Sequence, residues 1–160
     1  MQITKQSNGI IELKTKNASA ILDKSVRIGD VVLNGPGEYD VAGIAVVGFP
    51  GDEQPFYSIV IEEMSVVYFP EKPQRMSDKS KEELGSVDIS VVPVNEGATV
   101  ADTMALINSL EPNIVIPIGV SASVEEFAKQ AGSAVENIDT LKITKSMLLP
   151  DERRIIVLQS

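Results

Sequence analysis

The chain of 160 residues contains no cysteine and no histidine. Without cysteine there can be neither a disulfide framework nor a thiolate zinc site. Without histidine the chain lacks the commonest metal ligand and the usual general base near neutral pH, so Ser-His and Cys-His catalysis are excluded. The reactive side chains that are left are carboxylates, lysine, tyrosine, serine and threonine.

Basic and aromatic side chains are also scarce. The chain has 14 Lys and Arg and 23 Asp and Glu, so its net charge is −9. Tryptophan is absent, and aromatic residues make up 4% of the chain. Nucleic acids are bound by clustered basic side chains and by stacking on aromatic rings, so no nucleic-acid partner is expected. No apolar run approaches the ~20 residues that span a bilayer, and the first residues, MQITKQSNG, lack the basic-then-apolar pattern expected of a signal peptide. We expect a cytoplasmic protein that does not enter a membrane.

Hydrophobic residues make up 43% of the chain, and its length predicts a single domain over residues 1–160. The first half indicates short strands separated by turns. The most strongly marked turn lies in the sequence LNGPGEYDV, residues 33–41. Pro36 presets a negative φ there, and Gly37 can adopt the positive φ of a tight turn.

The second half has a different pattern, because residues 87–132 predict strand, helix, strand and helix in turn. Two nearly continuous apolar runs, VDISVVPV and NIVIPI, are typical of parallel strands covered on both faces. A helix follows each run. Thr99 with Asp102 predicts the start of the first helix, and Ser123 with Glu126 predicts the start of the second, each as a capping box.

Four blocks stand in a fixed order: NGPGEYDVAGIAVVGFP, YSIVIEEMSVVYFPE, LGSVDISVVPV and LINSLEPNIVIPI. Together they resemble the metallo-β-lactamase fold, in its branch of zinc-dependent hydrolases, over residues 33–141. The resemblance implies an α+β chain folded as a four-layer αβ/βα sandwich, here truncated, with the family's metal site at one end of the paired sheets. The structural motif that carries the resemblance consists of Gly35, Pro36, Gly37, Glu38 and Tyr39.

The resemblance fails at the metal ligands. The family's His-x-His-x-Asp-His motif lies on a loop with no counterpart here, because ILDKSVRIGDVVLN passes from strand to strand with hardly any loop. The family's other ligand positions fall on residues that are not histidine. These degenerate ligand positions are Asn8, Gly51, Asp52, Glu71 and Gly119. The resemblance therefore implies a pseudoenzyme with no catalytic residues, no metal site and no cofactor, which acts in binding or self-assembly.

Two alternatives remain open. A metal-dependent hydrolase could use a rebuilt site in which Asp52, Glu53, Glu71 and Glu96 hold Mg²⁺ or Mn²⁺ through carboxylate oxygens. The plainer interpretation of these four residues is that they are solvated acidic loop residues. The other alternative is a small-molecule binding module, because a vacated active site can leave a pocket.

A partner is expected at the former active-site end. Loss of the metal-binding loop should uncover apolar surface, and exposed apolar patches commonly mark interaction sites. The loops predicted to line this end are residues 51–55, 70–76, 95–98 and 119–123. The sequence therefore predicts a homo-oligomer, or a protein partner bound at this end.

Overall fold

The structure is a computed structural model that describes residues 1–52, 54–95 and 99–160. Over these residues the chain forms fourteen strands and three α-helices. The strands are β1 (Gln2–Lys5), β2 (Ile11–Lys14), β3 (Ser19–Asp23), β4 (Ser25–Ile28), β5 (Val31–Leu33), β6 (Gly37–Val41), β7 (Ile44–Phe49), β8 (Phe56–Ile61), β9 (Met64–Tyr68), β10 (Ile89–Pro93), β11 (Ile114–Ile118), β12 (Ala134–Ile138), β13 (Thr140–Lys142) and β14 (Arg154–Leu158). The helices are α1 (Asp78–Leu84), α2 (Val100–Leu110) and α3 (Ser121–Gln130), and a 3₁₀ turn covers Lys145–Met147.

The strands form two sheets. The first sheet is antiparallel throughout, in the order β13-β1-β2-β3-β4-β5. The second sheet has the order β12-β14-β11-β10-β9-β8-β7-β6, with parallel pairing from β12 to β9 and antiparallel pairing from β9 to β6. The predicted parallel strands with a crossover helix are confirmed, since β10 and β11 are parallel neighbours joined through α2.

Two hydrophobic clusters fix the layers. One lies between the sheets and includes Leu13 and Ala20 of the first sheet and Ile59 and Val91 of the second. The other lies between the second sheet and the helices, where Phe127 of α3 packs with strand residues. Strand β10 is buried at every position because it contributes to both clusters, which accounts for its continuous apolar sequence.

The described helices lie on the outer face of the second sheet only. The outer face of the first sheet instead carries exposed polar side chains such as Lys14, Arg27 and Lys142, which alternate with buried apolar residues. An antiparallel sheet of this pattern faces water without a covering helix. The predicted sandwich is confirmed in a truncated form, with two packed sheets and a helical layer on the second sheet, whereas no helix in the described residues covers the first sheet. None of the helices in the described ranges is long and apolar enough to cross a membrane.

One predicted helix start is confirmed and the other is wrong. The Thr99 side chain accepts a hydrogen bond from the Asp102 amide at 3.1 Å and caps α2. Helix α3 begins at Ser121 without a side-chain cap, so Ser123 and Glu126 lie inside it rather than at its start. The reason is that β11 ends at Ile118 and the chain turns into the helix at once, before it reaches the capping-box residues.

Candidate functional site

The carboxyl ends of parallel strands β9, β10 and β11 meet at one end of the sandwich, which we call the mouth. Ligands of open α/β sheets commonly bind outside such strand ends. A cleft of about 630 Å³ lies here, between these strand ends and the turn that joins β1 to β2. The residues that line this mouth cleft are Lys5, Ser7, Asn8, Gly9, Pro70, Glu71, Pro93, Asn95, Ile118, Gly119, Val120, Ser121 and Ser160.

Three of the five degenerate ligand positions line the mouth cleft: Asn8, Glu71 and Gly119. The carboxylate of Glu71 accepts a hydrogen bond from Nε2 of Gln54, and the backbone carbonyl of Glu71 accepts one from Nδ2 of Asn95 at 2.7 Å. Asn8 accepts a hydrogen bond from the Ile10 amide at 3.3 Å within its own turn. These contacts hold the loops of the mouth to one another.

The other two positions, Gly51 and Asp52, lie on the loop from β7 to β8, outside the lining of the cleft. The Asp52 amide donates to Oε1 of Gln74 at 2.9 Å, and Nε2 of Gln74 donates to the Gln54 carbonyl at 3.0 Å. The side chain of Asp52 itself is exposed. Glutamines therefore tie this loop to the segment that follows β9, and the sequence analysis did not identify them.

Backbone atoms lie close to both Gly51 and Gly119 and leave no room for a side chain. A Cβ added to Gly119 would lie 2.1 Å from the carbonyl oxygen of Val94, and one added to Gly51 would lie 2.1 Å from that of Gln54. Both glycines also have positive φ, which side-chain-bearing residues rarely adopt. A histidine at either position would require the backbone to move.

The described residues do not fit the metal site of the family. Among residues 1–52, 54–95 and 99–160, no three potential Asp or Glu ligands come together as a metal-binding group. Of the four carboxylates of the alternative site, Glu71 and Asp52 are placed as described above. Glu53 and Glu96 lie outside the described residues.

Two tyrosine rings occupy the space between the sheets close to the mouth. Tyr57 and Tyr68 are directly opposite each other on β8 and β9, and both are buried. Burial raises the pKa of Tyr57, and burial is also the main reason why the pKa of Tyr68 rises to about 12, with the nearby Asp23 carboxylate as a smaller cause. These rings pack in the core and are not available as ligand-binding groups at the surface.

A tight turn lies in the segment where the resemblance predicts that the family's metal-binding loop is missing. Only Lys24 separates β3 from β4, with φ of 48°, and Asp23 pairs directly with Ser25 across it. The backbone of Lys24 lies close enough to the phenol of Tyr68 to lower its pKa, against the larger effect of burial. The turn therefore closes over the tyrosine, and the predicted near-absence of a loop is confirmed.

The motif at residues 35–39 has a packing role. The Tyr39 hydroxyl lies 3.3 Å from the Pro36 carbonyl and 3.4 Å from the Gly35 carbonyl. A Cβ on Gly37 would lie 2.9 Å from the Tyr39 hydroxyl oxygen, so this position suits glycine. Glu38 is exposed on β6. The motif thus joins the last strand of one sheet to the first strand of the other.

Lys5 is a cleft residue that the sequence analysis missed. It is half-buried and lies opposite Ile11 on the core-facing side of the first sheet. Within the described part of the chain, the Lys5 ammonium forms no ion pair with a carboxylate. Strand β1 has only four residues, so its alternation of polar and apolar side chains does not show from the sequence which face points to the core. Lys5 therefore could not be assigned to the core-facing side.

Large apolar side chains are exposed mainly away from the mouth. Those in the described residues are Val31, Val32, Val60, Val120, Met147 and Leu149, and only Val120 lines the mouth cleft. The rest of the lining combines polar residues with Gly9, Pro70, Pro93, Ile118 and Gly119. The described mouth therefore presents a mixed cleft with several polar groups rather than a broad apolar patch.

Comparison with family models identifies the class of the protein. Residues 12–119 match the model of the beta-lactamase superfamily domain, so the chain belongs to that family. Comparison with curated protein sequences finds no match.

Among solved structures, the chain is similar to a proposed Zn-dependent hydrolase of the metallo-β-lactamase superfamily from Thermotoga maritima. The TM-score is 0.80 at 18% identity, and the match covers 100% of both chains. The two proteins therefore share a fold. The diiron β-hydroxylase CmlA from Streptomyces venezuelae gives a TM-score of 0.48 at 12% identity, over 80% of this chain and 33% of that one.

Proposed function

We propose that this chain is a metallo-β-lactamase-fold domain that does not catalyse metal-dependent hydrolysis and that binds a small polar ligand in the mouth cleft. The observation that supports the loss of catalysis is the close approach of the backbone to Gly51 and Gly119. Where a metal-ligating histidine has been replaced by another side chain, a single mutation can restore it. Where the backbone leaves no space for a Cβ, a histidine cannot be restored until the loop changes its conformation.

The polar groups in the lining of the mouth cleft support binding of a small molecule. Pockets with a few convergent polar groups on a rigid fold are the usual sites for such ligands. The cleft is built on the ends of buried strands, and the Gln54–Glu71 and Asn95–Glu71 hydrogen bonds hold its rim. A preformed site of this kind loses less entropy when a ligand binds.

The first test is metal content, measured by mass spectrometry on protein purified without chelator and again after incubation with Zn²⁺, Mn²⁺ or Mg²⁺. We expect less than one equivalent of each metal. One equivalent that is lost in a Glu71→Gln variant would instead support the hydrolase alternative with a carboxylate site. That measurement includes Glu53 and Glu96, because it uses the whole chain.

A homo-oligomer or a protein partner at the mouth is the competing proposal. Val120, which is 62% exposed, is the apolar side chain that such an interface would cover. Sedimentation velocity of the chain and of a Val120→Ser variant separates the two ideas. A dimer that the variant abolishes would favour assembly through the mouth, whereas a monomer in both samples would favour the small-ligand proposal.

A further inference from the structure

We propose that the ligand of the mouth cleft is a small organic anion, a carboxylate or a phosphate, held by the ammonium group of Lys5. The inference rests on the proposed ligand-binding function and names the ligand class. It is carried by the position of Lys5 in the first sheet.

Lys5 occupies a core-facing position. It begins a row of neighbouring residues that crosses strands β1 to β4. The other members of the row are Ile11, Leu22 and Val26, in that order. All three of these partners are buried, whereas Lys5 is half-buried at the end of the row where the sandwich opens. A lysine in such a row is informative, because charged side chains seldom face a core without a partner.

The charge of Lys5 is not neutralised by a side chain in the described residues. Glu71 is the acidic side chain in the lining of the cleft, and its carboxylate accepts from Nε2 of Gln54 and forms no ion pair with Lys5. An ammonium group without a counter-ion can donate a charge-assisted hydrogen bond to an anion that enters beside it. An anionic ligand would therefore complete an interaction that the fold leaves open.

Ser121 adds a hydroxyl donor to the cleft wall. The overall charge of −9 opposes an anion only weakly at this place, because exposed charges beyond about 8–10 Å are largely screened at physiological salt. The charged side chains in the lining of the cleft are Lys5 and Glu71, and variants of each test which of them determines the sign of the ligand.

The experiment titrates ¹⁵N-labelled protein with four probes and follows the amide signals of cleft residues such as Gly119 and Ser121. The probes are succinate, inorganic phosphate, 1,4-diaminobutane and 1,4-butanediol. We expect succinate or phosphate to shift the cleft amides saturably, and whichever of the two binds tighter distinguishes a carboxylate from a phosphate ligand. Lys5→Met should weaken that anion by roughly tenfold or more, since charge-assisted hydrogen bonds are the strong ones.

Three variants serve as controls. Lys5→Arg keeps the charge and should retain binding, and Lys14→Met removes an exposed lysine from the outer face of the same sheet and should leave binding unchanged. Glu71→Gln removes the like charge and should tighten the anion by roughly two- to fivefold. A cation-binding cleft would give the opposite sign for both Lys5→Met and Glu71→Gln.

The outcomes separate the two proposals. If only the diamine or the diol binds in the cleft, the anion inference is overturned while the ligand-binding proposal stands. If none of the four probes shifts the cleft amides, both are overturned. If an anion binds equally well to wild type and Lys5→Met, with the spectrum of a folded protein, Lys5 is not its site and the inference fails.

Discussion

Replacing Gly51 with alanine tests whether the backbone leaves room for a side chain at a position where the family resemblance predicts a ligand. Gly51 has φ of +59°, and an added Cβ would lie 2.1 Å from the Gln54 carbonyl oxygen and 2.5 Å from Oε1 of Gln74. The glutamine side chain can swing away, but the carbonyl oxygen belongs to the backbone of the same tight loop. Gly51→Ala therefore forces the loop itself to shift.

The chain offers a matched control in Gly29. Its φ is +58°, and an added Cβ would meet no atom within 4 Å. Gly29→Ala should therefore cost only the left-handed backbone conformation, about 1–2 kcal/mol. Gly51→Ala pays the same conformational cost and in addition the overpacking cost, which is typically about 1–3 kcal/mol. We expect the loss of unfolding free energy in Gly51→Ala to be about twice that in Gly29→Ala.

Urea unfolding at equilibrium measures both losses, provided that the slope m is unchanged between the variants. If Gly51→Ala is no more destabilised than Gly29→Ala, the loop relaxes freely around the new Cβ. The reasoning would then be refuted, and a histidine at this position would be sterically acceptable. The proposal that the chain has lost metal-dependent catalysis would then lose its main support.

Two ion pairs outside the mouth give further predictions. Asp88 accepts two hydrogen bonds from Lys145 at 2.8 and 2.9 Å and one from the Ser65 amide at 2.8 Å. Asp88→Asn should therefore lower the free energy of unfolding in urea by about 2 kcal/mol. A loss below about 0.5 kcal/mol would contradict this prediction. The Arg154 guanidinium lowers the pKa of Glu136, so this pair stabilises the fold above the ordinary carboxyl pKa and the contribution is lost as pH falls through the lowered pKa. Since Glu136 is 42% exposed, Glu136→Gln should cost less than about 1 kcal/mol at pH 7, and this cost should decrease as the pH falls below the ordinary carboxyl pKa. An equal cost at pH 7 and at pH 3 would contradict the prediction.

The elements that the sequence predicted well are those whose signals are local. Strand β10 is a continuous apolar run, and Thr99 marks the start of α2 with its own side chain. The signal for the hairpin from β8 to β9 is also local, because Glu62 and Glu63 interrupt two apolar runs, and both residues have positive φ. In each case neighbouring residues determine the conformation.

Strand β12 was not predicted, because its stabilisation comes from a distant part of the chain. Its sequence, AVENI, has no clear alternation, and it lies at the edge of the second sheet. It is held by pairing with β14, and Arg154 of that strand binds Glu136 through two hydrogen bonds at 2.8 and 3.0 Å. A pairing partner 18 residues away cannot be read from a local pattern.

The candidate site could be predicted only in part. The resemblance located Asn8, Glu71 and Gly119, and these residues do meet at one cleft. It could not reveal that Asp52 lies outside the lining, because the glutamine hydrogen bonds that hold its loop have no sequence signature. It also could not assign Lys5 to the core-facing side of its strand.

The buried phenol of Tyr68 provides a final test of how closed the mouth is. Its pKa is raised to about 12, mainly by burial, and only 3% of the residue is exposed. A tyrosine in the unfolded chain ionises near pH 10, so the unfolded state releases this proton first as the pH rises. The stabilising contribution of Tyr68 is therefore fully present below pH 10 and declines between about pH 10 and pH 12, by up to about 2–3 kcal/mol.

Tyr68→Phe removes the ionisable group and keeps the ring, so this variant should lose less stability than wild type between pH 9 and pH 11. Urea unfolding at these two pH values measures the difference, and absorbance at 295 nm follows phenol ionisation directly. Ionisation of Tyr68 near pH 10 in the folded protein would mean that water reaches the space beneath the turn at Lys24. The interior of the mouth would then be open, and a ligand or a metal ion could enter between the sheets. A Tyr68 pKa near 12 would instead mean that the packed rings of Tyr57 and Tyr68 leave no room there.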